Sequence, residues 1–270
     1  MTATVRASLF QGPQFSGEVR ANLDAIAGAA ERAADAGASI LVTPEMSATG
    51  YDIGDLVDVR AEPADGPIYE SFSSIARTTG VAIVYGYPES ADGGIYNSVQ
   101  VVDADGTSVA RYRKTHLFGD LDRGHFLAGN DLVVQFDIGG ITCGLLTCYD
   151  VEFPEAVRAH SDSGTQWLIV PTGLMMPFDI VATHVVPARA YESQLFIAYV
   201  NRCGRESDLE YCGLTCAIAP DGSELARAGR VQESILVDID TATLLESRTV
   251  NTHLDDRRPD LYTAHGRGRS

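Results

Sequence analysis

Lysine is almost missing from this sequence: of twenty basic residues in a chain of 270, nineteen are arginine and one, Lys114, is not. Arginine supplies a planar, permanently charged fork, whereas lysine supplies a compact ammonium whose proton affinity its surroundings can tune. The single lysine is therefore either chance in an arginine-biased chain or a place where chemistry requires an ammonium. Cysteine is scarce as well. Cys143, Cys148, Cys203, Cys212 and Cys216 are odd in number and form no CxxC pair, which speaks against a disulfide framework and against a zinc ribbon. No HExxH spacing occurs, so no metal site is expected. No apolar run reaches the roughly 18 residues of a membrane span. The start of the chain lacks a basic leader with an apolar core and cleavage site, and a cytoplasmic protein is expected. Net positive charge is lacking too: a formal charge of −17 repels nucleic acid and anionic membranes and leaves small molecules or proteins as the expected partners.

What the chain does contain is an α/β rhythm long enough to bury a full core. Residues 5–10 read as a strand, and residues 18–36 carry Val19, Leu23, Ile26 and Ala30 at helical spacing. Residues 39–43 form a nearly all-apolar run that ends at Pro44-Glu45, as a strand buried on both faces would. A helix over 67–79 follows, then strands over 81–85, 96–102 and 108–112, the last two joined at Asp105-Gly106. The order then recurs: strand 141–147, helix 154–163, strand 167–170, helix 178–191, strand 196–200, and strands 213–219 and 224–228 joined at Asp221-Gly222. Asp105-Gly106-Thr107-Ser108-Val109-Ala110-Arg111 and Asp221-Gly222-Ser223-Glu224-Leu225-Ala226-Arg227 occupy equivalent places in the two series. Together these imply an α/β fold, a four-layer α-β-β-α sandwich built from two pseudo-repeated halves. Residues 1–262 are expected to form one domain, with 263–270 a disordered tail.

Three residues stand where such folds place their chemistry. Glu45 ends one strand, Lys114 follows a hairpin, and Cys148 falls between the strand at 141–147 and a helix opened by Pro154. A thiol there is reachable, and nearby amide N–H groups can stabilise a thiolate or a developing oxyanion. The competing reading of a free cysteine, a small buried hydrophobe, is the common one, and Cys143, an odd number of residues away, fits it. For Glu45 and Lys114 the competing readings are an exposed strand-end carboxylate and a solvated surface charge.

The segments Leu41-Val42-Thr43-Pro44-Glu45, Tyr112-Arg113-Lys114-Thr115-His116-Leu117-Phe118 and Cys148-Tyr149-Asp150-Val151-Glu152-Phe153-Pro154-Glu155 together resemble the nitrilase, or carbon–nitrogen hydrolase, superfamily in order and separation. The resemblance runs over roughly residues 4–240. Tyr85-Gly86-Tyr87-Pro88-Glu89, Ile95-Tyr96-Asn97-Ser98 and Tyr211-Cys212-Gly213 look most like its aliphatic amidase branch, 5-aminopentanamidases in particular. The resemblance implies that Cys148 is the nucleophile, that Glu45 takes its proton and returns one to the leaving amine, and that Lys114 with the backbone N–H of Tyr149 holds the oxyanion. It implies a small-molecule amide substrate, no cofactor, and a homodimer or larger homo-oligomer. Tyr51, Glu152, Thr172 and Gly173 are the substrate-binding candidates it suggests.

One feature departs from the family pattern, which adds a second glutamate shortly after the lysine. Phe118-Gly119-Asp120-Leu121-Asp122-Arg123 has none. Counting back from Phe126 and Gly129 makes Asp122 the equivalent, with Asp120 the alternative. Hydrolysis of carbamoyl amines or nitriles are the neighbouring activities, and a catalytically degenerate binding or assembly protein is the reading from another class. A cysteine–histidine hydrolase using His116, His125 or His184 is disfavoured, since no papain- or caspase-type cysteine segment is present.

Overall fold

Successive side chains along a strand point to opposite faces of its sheet, and that alternation sets the layers. The computed structural model describes residues 2–12 and 15–265. Its first half contains strands Thr4–Gln11 (β1), Ile40–Val42 (β2), Ala82–Ala91 (β3), Gly94–Val102 (β4) and Ser108–Arg113 (β5), with helices Val19–Asp35 (α1), Leu56–Arg60 (α2), Pro67–Thr79 (α3) and Gly119–Arg123 (α4). The second half contains Val134–Ile138 (β6), Ile141–Leu145 (β7), Trp167–Pro171 (β8), Phe196–Val200 (β9), Cys203–Glu206 (β10), Leu209–Cys212 (β11), Cys216–Ile218 (β12), Glu224–Arg227 (β13) and Glu233–Asp240 (β14). Helices Pro154–Asp162 (α5), Val186–Ser193 (α6), Thr241–Val250 (α7) and Pro259–His265 (α8) accompany them.

The strands form two six-stranded sheets, ordered β14-β1-β2-β3-β4-β5 and β13-β12-β9-β8-β7-β6, with β10 and β11 a separate ribbon. Ala7, Leu9, Ile40, Val42, Ala82 and Val84 of the first sheet share one apolar cluster with Phe136, Cys143, Leu145 and Trp167 of the second. Their neighbours Phe10, Leu41, Ile83 and Tyr85 point the other way, onto Ile26, Ala30, Phe72 and Ala76 of α1 and α3. Ala156, Val157, Val186 and Ala190 cover the second sheet from α5 and α6. This is the expected α-β-β-α sandwich. Among the described residues no helix is long and apolar enough to cross a membrane.

The pseudo-repeat holds at the level of hydrogen bonds. β1-β2-β3 run parallel and β4 and β5 antiparallel; β7-β8-β9 run parallel and β12 and β13 antiparallel. Both hairpins carry a register shift, at Val101/Val102 and at Ala217/Ile218. Gly106 and Gly222 close them at φ of 78° and 81°, in the left-handed region that glycine tolerates without a Cβ penalty.

Several boundaries differ from the sequence pattern. The strand expected over 213–219 is confined to Cys216–Ile218 because Gly213 and Leu214 take φ of 66° and 61°. The strand expected over 141–147 stops at Leu145, and a one-turn 3₁₀ helix, Cys148–Glu152, follows. The helix expected over 178–191 begins as a π-helical turn, Val181–Val185, since Pro187 withholds an amide from the ladder. The weakly apolar stretch from Thr241 is helical: Asp240 accepts the Ala242 N–H as an N-cap at 2.9 Å and Leu244 is buried. Of the tail expected at 263–270, the first three residues end α8, and 266–270 lie outside the described residues.

One core residue makes the fold acid-sensitive. His160, fully buried on α5, shares a hydrogen bond of 3.1 Å between Nδ1 and Thr165 Oγ1, and burial depresses its pKa from 6.5 to about 4. A lowered folded-state pKa means that the unfolded chain binds more protons, so stability is present above pH 6.5 and lost as pH falls through 4. In urea unfolding at pH 7 and pH 4.5, the wild type is expected to lose on the order of 2–3 kcal/mol more than His160→Gln does. Equal losses would show that His160 is not the acid-sensitive group.

Candidate active site

Three strand ends bring Glu45, Lys114 and Cys148 to one buried point. β2 has no exposed residue, so its continuation carries Glu45 inward, fully buried. Lys114 follows β5, its amide held by the Asn97 carbonyl of β4 at 2.9 Å, and is also fully buried. Cys148 opens the 3₁₀ turn at the end of the second sheet with φ of 48° and is 8% exposed. The surface-charge readings of Glu45 and Lys114 are thereby excluded.

Lys114 Nζ donates to Glu45 Oε1 at 2.8 Å and to Asp122 Oδ2 at 2.7 Å. The departure from a second glutamate is thus met by Asp122 on α4; Asp120, one turn position away, is exposed to solvent. Asp122 is fixed in turn by the Tyr51 hydroxyl at 2.8 Å and the Phe118 amide at 2.8 Å. Tyr51, a substrate-binding candidate from the sequence, has its hydroxyl committed to Asp122, and its ring lies 5.6 Å from Lys114 Nζ. On Glu45, Oε1 accepts a second bond from Asn97 Nδ2 at 2.7 Å, whereas Oε2 is buried with no hydrogen-bond partner. That oxygen faces Gly173: a Cβ placed there would stand 3.2 Å from it and 3.2 Å from the Tyr51 ring. A side chain there would crowd both groups.

The charge balance follows from the geometry. Burial raises the Glu45 pKa; Lys114 pulls it down, and the like charge of Asp122 pushes it up again. Burial opposes the Lys114 ammonium, yet Glu45, Tyr51, Asp122 and Cys148 outweigh it and hold the lysine well above its ordinary value. The Cys148 thiol is pushed up by burial first and by Glu45 second, against the opposing pull of Lys114, the Thr172 hydroxyl and the Gly173 backbone. The sulfur therefore rests as a thiol, and the thiolate that the strand-end position suggested does not form without a base. Thr172 and Gly173 lie beside the sulfur, at the end of β8. Glu152, on the Cys148 turn, is half-buried, and burial raises its pKa against the pull of Arg189 and Lys114. Tyr149 is the second residue of the 3₁₀ turn, within the first turn, where N–H groups lack intrahelical acceptors.

Asp150 locks this turn to the lysine strand. Its carboxylate accepts from Tyr112 OH at 2.8 Å, Thr115 Oγ1 at 2.9 Å, the His116 amide at 2.8 Å and the Thr147 amide at 3.1 Å. His116 also meets Asp150 through Nδ1 at 2.8 Å and stacks on Phe153 at 3.9 Å, a structural role. Sequence reasoning passed over Asp150, Asn97 and Arg202. The available signals were a carboxylate two residues after the cysteine, an amide inside an apolar strand, and a cation two residues after the run 196–200. Among the described residues no group of three or more His, Cys, Asp or Glu side chains could hold a metal ion.

The chain is similar to known proteins along most of its length. The carbon-nitrogen hydrolase family profile matches residues 6–249. A Pseudomonas protegens protein described as a hydrolase in the pqqF 5' region is 45% identical over 96% of this chain and 91% of its own length. An (R)-stereoselective amidase of Pseudomonas sp. is 36% identical over 85% of this chain and 84% of its own. The structure of an amidase from Nesterenkonia sp. AN1, with acrylamide added at its active-site cysteine, superposes with a TM-score of 0.84 at 30% identity, covering 96% of this chain and 99% of that one.

Removing the lysine should leave both carboxylates buried without their counter-charge. Lys114→Met is expected to destabilise the fold by about 3–5 kcal/mol at pH 8. With the ammonium gone Glu45 loses the group that pulls its pKa down, so the penalty should shrink as pH falls toward 5. Chemical denaturation at the two pH values measures this, and a loss that does not vary with pH would mean that Lys114 does not stabilise an ionised Glu45.

Proposed function

The chain belongs to the carbon–nitrogen hydrolase family, and from that membership we propose how its own residues carry out the hydrolysis. The protein is an amidase of the nitrilase superfamily, a hydrolase of carbon–nitrogen bonds that uses a catalytic cysteine. In our reading Cys148 is the nucleophile, Glu45 the general base and acid, Lys114 and the Tyr149 N–H the oxyanion donors, and Asp122 the carboxylate that fixes Lys114. The observation that carries it is the unpartnered Oε2 of Glu45, a buried acceptor whose sister oxygen is held by Lys114 and Asn97.

Each step uses a group in the state its surroundings favour. Glu45 accepts the Cys148 proton as sulfur attacks the amide carbon, and negative charge moves to the carbonyl oxygen, where an ammonium and an N–H stabilise it. The tetrahedral intermediate collapses by breaking the C–N bond, Glu45 returns the proton to nitrogen, and ammonia leaves a thioester. Glu45 then takes a proton from water, hydroxide adds to the thioester, and collapse releases the acid and restores the thiol with that proton. A carboxyl pKa raised by burial suits both directions of transfer.

The proposed substrate is a short linear carboxamide, 5-aminopentanamide or a close relative with a distal amine. A distal amine calls for a carboxylate; Asp122 is committed to Lys114, Asp179 to Arg230, and Asp120 is exposed. Glu152 is left, half-buried on the nucleophile's own turn.

Ammonia release tests the whole reading. Cys148→Ala should abolish turnover with the fold retained, and Lys114→Arg should lower kcat on the order of 10²-fold, the scale of losing one oxyanion donor. The kcat/KM for 5-aminopentanamide should exceed that for pentanamide by up to about fivefold through one partly exposed ion pair, and Glu152→Gln should erase the difference. Substantial hydrolysis by Cys148→Ala would end the nucleophile assignment. Equal efficiency on both amides would leave a general aliphatic amidase, and preference for an N-carbamoyl amine or a nitrile would move the protein to a neighbouring activity with the same residues.

A further inference from the structure

Against the main chain of Glu45 lies a second buried charge pair that the proposed hydrolysis does not use directly. Arg202, fully buried at the end of β9, donates through Nη1 to the backbone carbonyls of Glu45 at 3.1 Å and Met46 at 3.3 Å, and through Nη2 to Glu206 Oε1 at 3.0 Å. Met46 has φ of 52°, a conformation that a non-glycine residue keeps only where its surroundings enforce it. Glu206, 3% exposed, is crowded with donors. Its carboxylate accepts from the amides of Tyr51 at 3.0 Å and Asp52 at 2.9 Å, from Ser16 Oγ at 2.7 Å and from Tyr211 OH at 2.5 Å. A Cβ placed on Gly50 would stand 2.6 Å from Glu206 Oε1, so the carboxylate is closely enclosed.

We propose that the Arg202–Glu206 pair is a positioning device for the reaction, setting where both carboxylates of the site stand around Lys114. One arm runs from Arg202 to the main chain of Glu45. The other runs through Glu206 to the main chain of Tyr51, whose hydroxyl holds Asp122 Oδ1 at 2.8 Å. Glu45 and Asp122 are thus fixed from a common origin, and Lys114 bonds to both. A buried ion pair is a poor source of net stability, because desolvation offsets its attraction. What it supplies is direction: a planar fork meets two carbonyls and a carboxylate at once. A displacement of about 1 Å at a reacting group costs on the order of 10²-fold in rate, which sets the scale at which such a device matters.

This inference rests on the assignment of Cys148 and Glu45, and the test separates the two. Glu206→Gln keeps the shape and removes the charge; Tyr211→Phe removes one donor to Glu206 and leaves the pair in place. With an amide substrate, Glu206→Gln is expected to lower kcat on the order of 10²-fold with KM within about threefold. It should also displace the limb of the pH–kcat profile that reports Glu45, although Lys114, Asp122, Tyr51 and Cys148, the titratable groups around Glu45, are unchanged. Tyr211→Phe should move both readouts in the same direction, by about tenfold in kcat, and decides the matter if Glu206→Gln does not fold. A purely structural pair would lower the melting temperature and leave kcat and the pH profile alone, and that result overturns the proposal. Turnover by Cys148→Ala or Glu45→Gln would instead mean that the site assignment itself has failed.

Discussion

A single fully buried ammonium held by two carboxylates is the constraint around which the rest of this molecule is arranged. Moving a charge of that size out of water costs several kcal/mol even after relaxation, and only close opposite charge with good hydrogen bonds offsets it. Lys114 meets that condition at 2.8 and 2.7 Å. The carboxylates must in turn be held, which recruits Asn97, Tyr51, the Phe118 amide and, behind them, Arg202 and Glu206. An exposed lysine would need none of this. Burial, with the like charge of Asp122 beside it, keeps Glu45 willing to hold a proton against the pull of Lys114.

How much of this was legible in the sequence depended on range. Local pattern gave the helix Pro67–Thr79 and the strand Phe196–Val200 with both ends correct, because the first carries apolar positions at helical spacing up to Gly80 and the second is an unbroken apolar run that ends at Asn201. The short ribbon β10–β11 and strand β6 were not legible; each is four or five residues of mixed polarity, too short to establish a period, although both pair locally across tight turns at Glu206↔Leu209 and Ile138↔Ile141. At the site, Glu45, Lys114 and Cys148 stood out by residue type and by the resemblance of their segments. The choice of Asp122 over Asp120 could be made only by counting, and it took the turn of Gly119–Arg123 to aim one carboxylate inward and the other at solvent. Arg202 and Glu206 were invisible for a different reason. Besides each other, Ser16 and Tyr211, their partners are the carbonyls of Glu45 and Met46 and the amides of Tyr51 and Asp52, and a backbone acceptor or donor leaves no mark on a sequence.

The two halves are alike in topology and unlike in chemistry. The first contributes the carboxylates and the ammonium, the second the thiol and the residues at the ends of β8 and β9. Neither half contains a working set, so the site exists only across the sheet-to-sheet contact, at matching ends of the two sets of parallel strands.

The last strand breaks the division. β14, residues 233–240, leaves the second half and pairs antiparallel with β1 from Thr4↔Asp240 to Gln11↔Glu233, so the first sheet gets its border from the end of the fold. During synthesis, β1 through β5 emerge while that border is still unmade. For well over a hundred residues of translation, the outer side of β1 presents unpaired N–H and C=O groups, a template open to any passing extended chain. Contacts of such high sequence separation also slow folding. The nascent chain thus stays vulnerable to mispairing until residue 240 has cleared the ribosome, and a truncation just before β14 would make that exposure permanent.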